Sequence, residues 1–367
     1  MATNGLLPSY RSVRSCHVHH RSGMAWRLVA TRSRYDITGP PMPARRKGEP
    51  DVSICPPGPA DTIGAIQPHG CLIAIDTNWH SVRLASANLS HFFSLSPAEA
   101  LGQPPERVLG SATVAALAKA LTLGAPGVAI VSGRPDSAPS RLYATAHTTA
   151  QYVILEVEPL EGHFDDLPGL GAIWSARIAQ ANSEQAVLAR LLRAFRVLTG
   201  FESVAMYGPG RDGRIERQTR DEAEDPIAPA DGFPIDNTAA VPLLMIDSLA
   251  EPAGLIGTQG AAPDLSCCAL RLAPLTIRAW LGQRQARTAL ALGLSEADRH
   301  WGVILCQDRR PRHLAPPLRH LLQQLAQTAA QRHALLHERR EARHHRHFLG
   351  TGGVRDRRQW LRAAPGP

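Results

Sequence analysis

Turn residues cut the stretch from Ile66 to Glu158 into apolar runs too short to be anything but strands. Cys71-Leu-Ile-Ala-Ile-Asp76 stops at the turn formers Asp76-Thr-Asn78. Ser81–Ser86 follows, and then Asn88 and a helical patch at Leu89–Phe93. Gly127–Ser132, Arg141–His147 and Tyr152–Glu158 are further strands, separated by Gly, Pro and Asp-Ser turns. Short strands with small helices between them predict one mixed α+β domain with an antiparallel sheet.

From Glu184 the apolar period becomes helical. Val187, Leu188, Leu191, Phe195 and Leu198 share a face, and Gly200 is placed to end the helix. Strands are predicted at Glu202–Tyr207, Ala240–Ile246, Ala286–Leu294 and Trp301–Cys306, with a turn at Gly208–Gly213 and a long acidic, Pro-containing loop over Thr219–Asn237. Pro316-Pro317 then opens a long helix whose Leu318, Leu321, Leu322, Leu325, Ala329 and Leu336 form an apolar stripe. Such a stripe serves either to pack on its own domain or to pair with a second copy of itself. The second domain is again α+β. Residues 1–50 have little apolar periodicity and read as disorder or as sequence upstream of the true start, and residues 337–367 as a basic, disordered tail with the His-rich run His344–His347.

Charge narrows the function. The chain carries +8, but residues 1–50 hold nine Lys and Arg against two acids, and residues 337–367 hold eight against three. The ends therefore contribute +7 and +5, which leaves about −4 for residues 51–336. The body is mildly acidic, with neither a basic aromatic face nor zinc-finger spacing, so nucleic acid is not an expected partner. No run approaches the roughly 20 apolar residues of a membrane span, and the start lacks a signal-peptide core, which makes the cytoplasm the expected compartment. Cys16, Cys55, Cys71, Cys267, Cys268 and Cys306 show no CxxC pairs or regular spacing, so reduced thiols are expected rather than a zinc site or a disulfide framework.

Ile63-Gly-Ala-Ile-Gln-Pro-His-Gly70, Ala85-Ser-Ala-Asn-Leu89, and Ala146-His147 with Leu155-Glu-Val-Glu-Pro159 resemble in order the opening, middle and closing strands of the phytochrome PAS domain. Leu198-Thr-Gly-Phe201 with Val204, Met206 and Tyr207, then Leu265-Ser266, Leu270-Arg271, Ala273-Pro274 and Trp301-Gly-Val-Ile-Leu-Cys306, resemble segments of the phytochrome GAF domain. The resemblance covers roughly residues 51–336 and implies a PAS domain over 51–165 and a GAF domain over 184–336. It further implies a bacteriophytochrome-like photoreceptor that binds biliverdin or another linear tetrapyrrole. Cys55 would be the covalent attachment point, as a thiolate on a flexible leader. Tyr207, Arg271 and Asp236 take family pocket positions, with Arg271 as a propionate partner.

Other pocket positions depart from the family. Its first histidine becomes Thr276 if Pro274 anchors the alignment, or Ile277 if Arg271 does. Ala289 and Ala291 stand for paired serines, and Gln307 for a second histidine. Losing these groups removes several hydrogen bonds to charged atoms, each worth roughly 1.5–3 kcal/mol. Two readings follow. One is a bilin photosensor that signals to a separate partner, as a homodimer through the terminal helix. The other is a chromophore-free PAS-GAF interaction module or truncated relic. Ser, His and Asp occur without a nucleophile elbow or triad context, and no phosphate loop, ATP box or phosphoacceptor helix is found, so no enzymatic activity is expected.

Overall fold

The computed structural model describes residues 64–124, 127–133, 141–209, 215–220, 242–257, 262–296 and 299–360, which fall within one compact unit. The first domain contains β1 (Ala65–Ile66), β2 (Cys71–Asp76), β3 (Val82–Ser86), α1 (Leu89–Phe92), α2 (Pro97–Ala100), α3 (Glu106–Leu109), α4 (Ser111–Thr122), β4 (Gly127–Ser132), β5 (Arg141–Thr148) and β6 (Tyr152–Pro159). The second contains α5 (Leu167–Ala179), α6 (Glu184–Thr199), β7 (Ser203–Pro209), β8 (Ile215–Arg220), β9 (Leu243–Met245), β10 (Ala253–Gly257), α7 (Leu275–Gln283), β11 (Thr288–Glu296), β12 (Arg299–Asp308) and α8 (Pro316–Trp360).

Local chemistry sets these boundaries. The Asp76 carboxylate accepts the backbone N–H groups of Asn78, His80 and Ser81, closing the turn between β2 and β3. Ser96 and Glu99 form a capping box at α2, behind Pro97. Ser183 caps α6 by accepting the N–H of Ala186, and Gly200 ends the helix in the left-handed conformation.

All pairings in the first sheet are antiparallel, in the order β1-β10-β3-β2-β6-β5-β4. The expected strands of this domain are present, but β10 is not one of them. It comes from the second domain and lies between β1 and β3, so the boundary expected near residues 165–184 is crossed by a returning strand. Both faces of β2 and β6 are covered, which explains their unbroken apolar runs. Cys71, Ile73, Ile75, Leu155 and Val157 face the small helices, while Leu72, Ala74 and Ile154 pack with Leu265, Cys268 and Leu270 of the second domain.

The second sheet runs β8-β7-β12-β11-β9. Its residues alternate strictly. Val204, Met206, Leu290, Leu292, Ile304 and Cys306 pack against α5, α6 and α8, whereas Ala205, Tyr207, Ala289, Ala291, Val303 and Leu305 pack beneath α7. The α8 stripe packs against α5 and α6 of its own chain. Helix α5 was not expected, because Pro168, Gly169 and Gly171 depress its helix propensity and tertiary packing decides instead. Helix α8 continues to Trp360, where the sequence suggested a disordered tail from residue 337; charged residues of high helix propensity such as Glu and Arg extend it. Cys71, Cys268 and Cys306 are free thiols, but Cys267 is disulfide-bonded, contrary to the reduced state expected of it.

Gly302 on β12 has φ +150°, and a Cβ there would sit 2.2 Å from the Tyr207 carbonyl oxygen. Backbone rather than a movable side chain blocks the space. Gly302→Ala is expected to destabilise the protein by about 3 kcal/mol in urea unfolding; a cost under about 0.5 kcal/mol would refute this close approach.

Candidate functional site

The α7-covered face of the second sheet is almost wholly apolar. Leu243, Met245, Ala289, Ala291, Val303 and Leu305 form its floor, and Ala273, Ile277, Trp280 and Leu281 cover it. Tyr207 is buried there at 2 % exposure. Alternation along β12 places Gln307 on the same face, two residues beyond Leu305 and opposite Ala289. Gln307 is 1 % exposed, and among the described residues its Nε2 has no hydrogen-bond partner. A buried amide donor without an acceptor costs about 1–3 kcal/mol, so it marks a place where a ligand acceptor would be stabilised.

The other sequence-predicted site residues fall differently. Thr276 is exposed on α7, while its neighbour Ile277 points into the cluster; of the two alignments, the structure puts Ile277 on the sheet face. Arg271 lies at the edge of this region. Its guanidinium donates to the carbonyl oxygens of Cys268 and Pro242, both at 2.8 Å, and its backbone bridges to Ile66. Two of the five guanidinium N–H donors of the expected propionate partner thus brace neighbouring chain segments. Cys55 and Asp236 lie outside the described residues.

The Gln-Pro-His-Gly segment builds the junction between the domains. The Gln67 Nε2 donates to the carbonyl oxygens of Leu244 (2.7 Å) and Arg271 (2.9 Å), and its Oε1 accepts the Ile246 N–H (3.0 Å). Asn88 donates to the carbonyl oxygens of Pro68 and Gly70, fixing the turn that aims Gln67. Nearby, Glu158 on β6 is 1 % exposed and receives both terminal nitrogens of Arg319 from α8. His69 Nε2 and His313 Nε2 stand 3.3 and 4.0 Å from the same carboxylate. Burial alone would raise the Glu158 pKa, but Arg319, aided by His69, holds it well below the usual range.

Glu156, two residues earlier on the same face of β6, has no arginine or lysine in contact among the described residues, and burial pushes its carboxyl up to about 7. Its Oε2 accepts the Leu270 N–H at 2.7 Å. Beside it, burial lowers His147 to about 4 and raises the Cys268 thiol well above its ordinary value. These two glutamates are the functional groups that sequence reasoning passed over. Their signal was present in Leu155-Glu-Val-Glu158, where two acids share one face of an otherwise buried strand.

Comparison with known proteins agrees with this architecture. Residues 57–160 match the PAS fold family. Bacteriophytochrome RpBphP3 from the photosynthetic bacterium R. palustris superposes with a TM-score of 0.68 at 23% identity, covering 78% of this chain and 61% of that one. The chromophore-binding domain of the same R. palustris protein gives 0.66 at 24% identity, covering 76% of this chain and 98% of that domain. The chromophore-binding domain of Stigmatella aurantiaca phytochrome P1 gives 0.65 at 21% identity, covering 74% and 96%. The chain is thus bacteriophytochrome-like in fold, with a PAS domain followed by a GAF domain and a long C-terminal helix. It spans 61% of the first of these R. palustris chains.

Proposed function

We propose that this chain is the bilin-holding input module of a phytochrome-type light sensor. The observation that carries the reading is the Gln307 Nε2, without a partner among the described residues and buried on an apolar face in the fold of chromophore-binding domains. A linear tetrapyrrole is a long conjugated ligand with carbonyl acceptors at its ends. The apolar floor from Leu243 to Leu305 suits its flat body, and Gln307 suits a pyrrole carbonyl. When bound, the bilin would supply absorption of visible light and a light-driven change of shape. Cys55 would hold it through a thioether. Gln307 would fix its orientation and Tyr207 would wall the face.

Histidines are absent from positions 276, 277 and 307, and alanines stand at 289 and 291. The bound pigment would therefore be held mainly by apolar contact and the covalent link, with weak, broad absorption in the red. Signal would leave through α8 to a separate partner, from a homodimeric and cytoplasmic protein without enzymatic activity of its own.

A second reading, a chromophore-free interaction module, is favoured by the way Ile277, Trp280 and Leu281 already pack onto the same sheet face. Co-expression with a biliverdin source separates the two. Visible absorption and zinc-enhanced fluorescence on a denaturing gel are expected for wild type. Cys55→Ala should lose the gel signal, and Gln307→Leu should bind added biliverdin about tenfold more weakly. A colourless wild-type protein overturns the proposal in favour of the interaction module.

A further inference from the structure

His147 on β5, Glu156 on β6 and Cys268 in the turn before α7 bring an imidazole, a carboxylate and a thiol to one point, although their sequence spacing gives no sign of it. Their ligand atoms all lie within 4.8 Å of one another. We propose that they form a site for one zinc ion, bridging the PAS sheet and the GAF loop.

Distances allow a shared ion in place of the weak thiol–imidazole hydrogen bond between Cys268 and His147. His147 Nδ1 and Glu156 Oε1 are 4.0 Å apart, too far for a hydrogen bond. His147 Nε2 and Cys268 Sγ are 3.7 Å apart. Zinc bonds of about 2.3 Å to sulfur and 2.0–2.1 Å to nitrogen, set at a tetrahedral angle, place those two atoms about 3.6 Å apart. One ring nitrogen would bind the ion, with Glu156 Oε1 drawn in by a small side-chain rotation.

Supporting groups are in place. The Leu270 N–H holds Glu156 Oε2 and the Ala269 N–H also donates to this carboxylate, as outer-shell donors do for a metal-bound carboxylate. The Cys268 N–H is anchored on the Leu265 carbonyl. Glu156 and Cys268 are buried, whereas the His147 side chain is 20% exposed, which gives an entry path and room for a water ligand in the fourth position. A thiolate, a carboxylate and a neutral imidazole suit zinc better than calcium or magnesium, which prefer oxygen alone. Asp264 adds negative potential near His147 and Cys268. Arg271 opposes the ion but favours the thiolate, and Glu158 and Arg319 lie beyond Glu156 as a mutually neutralised pair. Binding breaks the Cys268 S–H bond, forms a zinc–sulfur bond and releases the proton to water, with no oxidant or reductant.

The test uses the full chain, stripped with a chelator and titrated with cobalt(II) and then zinc(II). One equivalent of cobalt should produce a sulfur-to-cobalt charge-transfer band and the visible bands of tetrahedral cobalt, both bleached by one equivalent of zinc. Cys268→Ser should abolish the charge-transfer band, and His147→Gln should weaken binding by roughly 100-fold. Cys306→Ser, which removes a free thiol of β12 outside the cluster, should keep the band. A band that survives Cys268→Ser, or none in wild type, overturns the site. Should Cys268→Ser fail to fold, zinc-edge X-ray absorption of the wild-type protein decides. One sulfur with nitrogen or oxygen ligands supports the site, and any other sulfur count removes it.

Discussion

Arg319→Ala is expected to destabilise the protein by about 3–5 kcal/mol, the cost of leaving one member of a buried ion pair unpaired. Arg319 and Glu158 tie α8 to the first sheet through two parallel charge-assisted bonds, and Arg319 also donates to the Leu314 carbonyl. The pH dependence distinguishes this pair from general packing. In wild type the Glu158 pKa is depressed, so its contribution is fully present above the unfolded value near 4.5 and is lost as pH falls through the folded value. Without Arg319 the buried carboxylate is the unfavourable form. The stability difference between wild type and Arg319→Ala should therefore be largest at pH 8 and shrink toward pH 4. His313, whose pKa burial lowers to about 4, adds positive charge beside Glu158 only near that pH, which narrows the gap there. Pairing Arg319→Met with Glu158→Gln should restore most of the loss, because burying two neutral groups avoids the orphaned charge. A gap that stays constant from pH 4 to pH 8 would sink this account.

The same residues show what the sequence reveals and what it hides. Strands such as Cys71–Asp76 and Tyr152–Glu158, and helix α6 between Ser183 and Gly200, were legible because turn formers, caps and apolar period act locally. Strand β10 was not. Ala253–Gly257 has no alternating pattern, and its place is decided by backbone pairing to Ser86 and Ala65 from far along the chain. Likewise the resemblance singles out Gln307, but its buried Nε2, without a partner among the described residues, becomes visible only once β12 is set opposite Ala289. Arg271 shows the reverse: an arginine in a pocket motif suggests an anionic ligand, and only the fold reveals that it also donates to the carbonyls of Cys268 and Pro242. The His147, Glu156 and Cys268 cluster spans 122 residues of sequence, and only tertiary structure gathers it.

Gln67→Leu should cost about 3–5 kcal/mol, because it orphans three backbone groups at once. Among the described residues strand β9 is an edge strand, paired with β11 on one side. An unprotected edge leaves peptide groups without partners, and Gln67 satisfies them. Its amide matches them in kind, since two N–H donors meet Leu244 and Arg271, and one oxygen meets Ile246. Leucine has similar volume and neither function, so each buried group loses about 1–3 kcal/mol, with some sharing as the edge relaxes. Glutamate is the sharper control. It keeps the acceptor for Ile246 but turns a carboxylate toward two carbonyl oxygens, so Gln67→Glu should be at least as damaging as Gln67→Leu at pH 8 and recover as the carboxyl is protonated near pH 5. Amide exchange at Ile246 reads the contact directly, and the leucine variant should speed it by roughly 100-fold or more. Unchanged exchange at Ile246 in that variant, with stability within 1 kcal/mol of wild type, would show that the edge is held by something other than this amide.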